Sequence, residues 1–109
     1  MAIQVIVSQT GPLPITANFQ APGDEPMYLE VNGSVWTQIP NLFIGILVEL
    51  DGNIVGEALI FSNGVATHRA VVPVYIEVQL SQGQHTLTLS AASDTVSDSN
   101  DLYAAVLHF

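Results

Sequence analysis

Apolar and polar residues alternate with period two along most of this chain, and apolar positions nowhere recur at helical i, i+3, i+4 spacing between caps. The pattern is one of strands. Residues 3–7 (Ile-Gln-Val-Ile-Val) open the series and stop at the breaker Gly11-Pro12-Leu13-Pro14. A short second strand, residues 15–19, precedes a turn rich in proline, glycine and acids at residues 21–26. The third covers residues 27–37, with Leu29, Val31 and Val35 on one face and Tyr28, Glu30, Asn32, Ser34 and Trp36 on the other. Two apolar runs, residues 42–50 and 54–61, flank Asp51-Gly52-Asn53. Its Asp-Gly pair tolerates the positive φ angles of a tight hairpin. Residues 65–80 are too long for one straight strand, and Pro73, which cannot donate to a ladder, splits them in two. Residues 85–91, a polar loop at 93–101 and a last strand at 102–109 complete eight or nine strands.

So many short antiparallel strands in 109 residues predict a single all-β domain, residues 1–109, built as a two-sheet antiparallel β-sandwich. Residues 102–109, Leu-Tyr-Ala-Ala-Val-Leu-His-Phe, are almost all apolar, so both faces of that strand are expected to be covered, in mid-sheet. Leu102, Ala104 and Val106 are assigned to the sandwich interior, and Tyr103, Leu107 and Phe109 to a contact with neighbouring subunits.

Composition changes this picture in one respect. Apolar residues make up 49% of the chain and charged residues only 10%, leaving little polar surface with which to solvate an isolated monomer. A homo-oligomer is expected. Ten acids stand against one base, Arg69, for a formal net charge of −9, which excludes the clustered cations that bind nucleic acid or anionic membranes. The absence of lysine removes Schiff-base and Walker-type chemistry, and the absence of cysteine removes disulfides and thiolate metal sites. No secretion signal or membrane-spanning run is visible, so membrane insertion is not expected and the compartment stays open.

The C-terminal thirty residues carry a family likeness. An apolar strand ending Val78-Gln79-Leu80, a turn at Gly83, the strand His85-Thr86-Leu87-Thr88-Leu89, a loop of Asp, Ser and Asn, and a closing aromatic-rich strand together resemble the jelly-roll family of tumour-necrosis-factor ligands and complement globular heads. The resemblance implies a jelly roll in preference to an immunoglobulin-like sandwich, a threefold assembly with the last strand near its axis, and a role ranging from receptor ligand to sugar-binding head or fibre tip. Residues 47–56 and 83–89 also look like segments of Ig-like and carbohydrate-binding sandwich modules.

Three groups of residues could carry chemistry. Trp36 shares a strand face with Tyr28, Glu30 and Asn32, and an indole beside acceptors is suited to stacking a sugar ring and bonding its hydroxyls. Packing under a loop or in an interface is the plainer use of a sole tryptophan. Arg69 could add a bidentate clamp, or simply neutralise Glu57 or Glu77 across a sheet. Asp94, Asp98, Asn100 and Asp101 place hard oxygens in one segment, the chemistry calcium prefers, although Asp and Asn in a turn ordinarily bond their own backbone. His68, His85 and His108 are too far apart in sequence to form a metal motif. They are assigned to a pairing near Arg69, a turn border and a subunit contact respectively. No Gly-x-Ser-x-Gly elbow frames any serine.

The sequence thus reads as a non-enzymatic recognition module, a lectin-like trimeric head or fibre tip that binds a glycan, with calcium as its candidate cofactor. The alternative is a purely structural oligomeric component of a virion, tail or scaffold. An exposed cleft beside Trp36 favours the first and a buried indole the second. An enzyme would need a cleft in which a histidine meets a carboxylate at hydrogen-bond distance.

Overall fold

The computed structural model describes residues 2–109 as nine strands: β1 (Ile3–Thr10), β2 (Ile15–Ala21), β3 (Met27–Val35), β4 (Leu42–Leu50), β5 (Asn53–Ser62), β6 (Arg69–Ala70), β7 (Val74–Val78), β8 (Gly83–Ala91) and β9 (Leu102–His108). There is no helix among the described residues, and so none long and apolar enough to cross a membrane. The strands form two antiparallel sheets packed as a sandwich. In the first, β9 lies between β1 and β3, and the far edge of β3 pairs with β7 over Met27 to Val31 and with the two-residue β6 at Ser34 and Val35. The second runs β2-β8-β4-β5.

Alternation produces the core. Leu29, Val31 and Val35 of β3, Ile44, Ile46, Val48 and Leu50 of β4, and Leu87 and Leu89 of β8 all point inward and are buried between the sheets. Chain breaks fall where the turn chemistry puts them. Asp51 and Gly52 both take positive φ, 52° and 83°, and form the two-residue turn of the β4–β5 hairpin. Pro73 separates β6 from β7.

The last strand is central, as its apolar character requires, but its two faces are the reverse of the sequence assignment. Tyr103, Ala105 and Leu107 are the buried residues, while Leu102 is 61% exposed. Register explains the reversal: Leu107 stands opposite Leu29, Ala105 opposite Val31 and Tyr103 opposite Gly33, and paired residues share a face. Gly33 makes room for the phenol, since a Cβ there would lie 2.5 Å from Tyr103 Cδ1 and 2.8 Å from the Leu102 carbonyl oxygen. With apolar residues on both sides of β9, alternation alone could not orient it.

Candidate functional site

The polar loop between β8 and β9 folds onto the end of β3. Trp36 and Val96 form a reciprocal backbone pair, at 3.0 and 2.8 Å, and the Leu13 amide donates to Ser97 Oγ at 2.8 Å. Within the loop the Asn100 amide donates to Asp98 Oδ1, and the Asp98 amide to Asp101 Oδ2. These are the self-bonded turns expected of Asp and Asn.

Asp101 is completely buried, and a buried carboxylate needs partners. It has three. Ser34 Oγ donates to Oδ1 at 2.8 Å, His68 Nδ1 lies 2.7 Å from the same oxygen, and the Asp98 amide binds Oδ2 at 2.9 Å. The β3–β6 register, continued one step beyond Val35↔Arg69, sets His68 opposite Trp36, and their rings meet at a centroid distance of 5.9 Å. The other ring nitrogen, Nε2, stands 3.8 Å from Asp98 Oδ2. The hydrogen bond to Asp101 holds the His68 pKa above its ordinary value, against a smaller opposing effect of desolvation. His68, Asp98 and Asp101 form a group whose ligand atoms lie within 4.8 Å of one another. Next to them, the Tyr103 hydroxyl is buried without a hydrogen-bond partner; burial first, and then the charge of Asp101, raise its pKa.

The remaining histidines also meet carboxylates. His85 has Nδ1 2.6 Å from Asp51 Oδ2 and Nε2 2.7 Å from the Ser81 carbonyl, so satisfying both oxygens requires both nitrogens to be protonated. Asp51 raises the His85 pKa, aided by that carbonyl; His85 in turn lowers the Asp51 pKa, aided by the Thr86 amide. His108 Nε2 lies 2.8 Å from Glu30 on the outer face of the first sheet.

The structure separates the residues grouped by sequence. Trp36 packs against His68 and Val96, its indole N–H buried and unpartnered, at the opposite end of β3 from Tyr28. Tyr28 is half-exposed, Glu30 is paired with His108, and Asn32 stands opposite Ala104. Arg69 is opposite Val35, on the other side of the ladder from Trp36, and forms no ion pair among the described residues. The expected pairing with Glu57 or Glu77 is not made, because Glu57 faces Leu47 in the other sheet and Glu77 faces Tyr28. Of the loop acids, Asp98 and Asp101 come together. Asp94 and Asn100 are exposed; Asp94 is outside the group and contributes its carbonyl oxygen to Thr37.

His68 was not visible as their partner, since only the register of the two-residue β6 brings it to Asp101, 33 residues away. A histidine therefore does meet a carboxylate here, but Ser34 donates to Asp101 and makes no bond to the imidazole. That arrangement gives no activated nucleophile.

The chain matches no known family model, and no curated protein resembles it significantly.

Proposed function

We propose that this protein is a structural assembly subunit of jelly-roll type that associates with further copies of itself through the outer face of the β1-β9-β3-β7 sheet. The observation that carries the reading is the composition of that face. Ile3, Val5, Tyr28, Tyr75 and Leu102 are each more than half exposed there, with Val106 between them. Exposed apolar side chains clustered in neighbouring rows, Ile3 and Tyr28 in one and Val5, Val106 and Tyr75 in the next, are the kind of surface that marks an interaction site. A second copy suits it best, because the face carries the His108–Glu30 pair near its middle. A copy rotated by symmetry could set His108 against Glu30 across the contact.

The strand order supports the jelly-roll reading, for the chain passes between sheets at every connection except β4–β5 and β6–β7. The buried indole N–H of Trp36 favours packing over sugar stacking.

A second reading keeps the same face and changes its occupant. Tyr28 and Tyr75 flank Glu30 and His108, an arrangement of aromatic rings and acceptors that suits a glycan, and here Tyr28 and Glu30 would contribute where Trp36 does not. Light scattering of the wild type and of Val5→Asp/Tyr28→Asp separates the two. Self-assembly predicts a multiple of 11.6 kDa for the wild type and the monomer for the variant, with unchanged circular dichroism. A monomeric wild type that retains a glycan on an array would move the face to the second reading.

A further inference from the structure

We propose that His68 Nε2 and Asp98 Oδ2 form a binding site for a divalent transition-metal ion of the zinc class, with Asp101 as the carboxylate that orients the imidazole. Metal-ligating histidines characteristically engage a carboxylate through the ring nitrogen that does not bind the metal. His68 does so, with Nδ1 2.7 Å from Asp101 Oδ1. Asp101 is itself immobilised, fully buried and bonded to Ser34 and to the Asp98 amide, so the ring is held by a fixed support. Nε2 is left facing Asp98 Oδ2 at 3.8 Å. Two ligands about 2.1 Å from a tetrahedral ion stand about 3.4 Å apart, so a few tenths of an ångström of side-chain movement would close the gap.

A second observation points to the same place. Tyr103 is 1% exposed, its hydroxyl has no hydrogen-bond partner, and both Asp98 and Asp101 act on it electrostatically. Ser97, whose hydroxyl accepts the Leu13 amide, is the polar group beside it and acts to lower its pKa, against the larger effect of burial. A water carried by the ion would give that buried hydroxyl the partner it lacks.

Ligand chemistry selects the ion. An imidazole nitrogen suits zinc, copper or nickel, whereas calcium and magnesium take oxygen, and Asp94, which would have added a carboxylate to an oxygen shell, lies outside the group. The His68 and Asp98 side chains are 37% and 38% exposed, so an ion can enter and keep water in its open positions. His85 offers no comparable site, since both of its ring nitrogens already face oxygens.

The test is calorimetric titration of the full chain with zinc chloride alone, for the wild type, His68→Gln, Asp98→Asn and, as a control, His85→Gln. Both altered ligands are exposed, and circular dichroism verifies that each variant stays folded. The expected result is one saturable site per chain, weakened about tenfold or more by either ligand substitution, unchanged in the control, and not displaced by millimolar calcium. Absence of a saturable site overturns the proposal. So does zinc affinity that survives either ligand substitution, loss of the site in His85→Gln, or displacement by calcium.

Discussion

The two outer faces of this sandwich obey the same alternation and differ in what it places outside. On the β2-β8-β4-β5 sheet the outward positions of β2 and β8 are Thr16, Asn18, Thr86, Thr88 and Ser90. They bond one another across the ladder, Thr86 Oγ1 donating to Asn18 Oδ1 at 2.8 Å, and Thr16 and Thr88 hydroxyls 3.4 Å apart. On the β1-β9-β3-β7 sheet the matching rows read Ile3, His108, Tyr28, Glu77 and Val5, Val106, Glu30, Tyr75. The β2-β8 half of the first face is a finished surface in water, while its β4-β5 half still carries the exposed pair Phe43 and Phe61. The second face is mostly apolar over these rows, with its charges partly paired through His108 and Glu30.

The largest effect on this contrast comes from removing its scaffold. Because β9 pairs with both β1 and β3, a chain stopped before Leu107 loses ladder bonds on two sides and the buried Leu107 itself. Loss of one buried leucine costs about 2–5 kcal/mol, comparable with the roughly 5–15 kcal/mol that stabilises a whole domain. The expected outcome is a chain without a cooperative thermal transition by circular dichroism. A sharp transition within a few degrees of the wild type would show that the first sheet does not depend on this end of β9.

A matched pair of surface substitutions tests the contrast directly. Tyr28→Asp, on the apolar face, is expected to weaken self-association by tenfold or more, about 1.4 kcal/mol, while Thr88→Asp leaves the assembly size unchanged and stability within about 0.5 kcal/mol. Sedimentation velocity over a concentration series reads both. Equal responses from the two faces would remove the distinction between them.

These differences were legible in the sequence only in part. The hairpin at Asp51-Gly52, the break at Pro73 and the inward set Leu29, Val31 and Val35 could be read, because each depends on local backbone chemistry or on a strand with one polar face. β9 could be placed in mid-sheet from its apolar character, but not oriented, because the cue that fixes it is Gly33 on another strand making room for Tyr103. The candidate site shows the same division. Self-bonding of Asp98 and Asn100 follows from turn chemistry, whereas the meeting of His68 with Asp101 depends on a two-residue strand with no periodicity to read.

The smallest expected effect concerns His85 and Asp51, at the hairpin end of the Thr-rich sheet, and its sign follows from the two pKa directions. His85 is raised, so its contribution is complete below the unfolded histidine value of about 6.5 and is lost as pH rises through the higher folded value. Asp51 is lowered, so its contribution is complete above the unfolded aspartate value of about 3.9 and is lost as pH falls through the lower folded one. The pair therefore stabilises most between about pH 4 and 6.5. Asp51 is well exposed, and solvent screening holds the gain below about 1 kcal/mol. Asp51→Asn isolates the charge, since asparagine tolerates the positive φ of 52° and its side-chain oxygen can still accept the Thr86 amide. The difference in Tm between wild type and variant is expected to peak near pH 5.5, at no more than a few degrees, and to shrink steadily above pH 7. A difference that stays flat from pH 5 to pH 9 would mean that the imidazole carries no charge in this contact. The second bond, to the Ser81 carbonyl, would then have to be made by a neutral ring that leaves its other nitrogen bare toward Asp51.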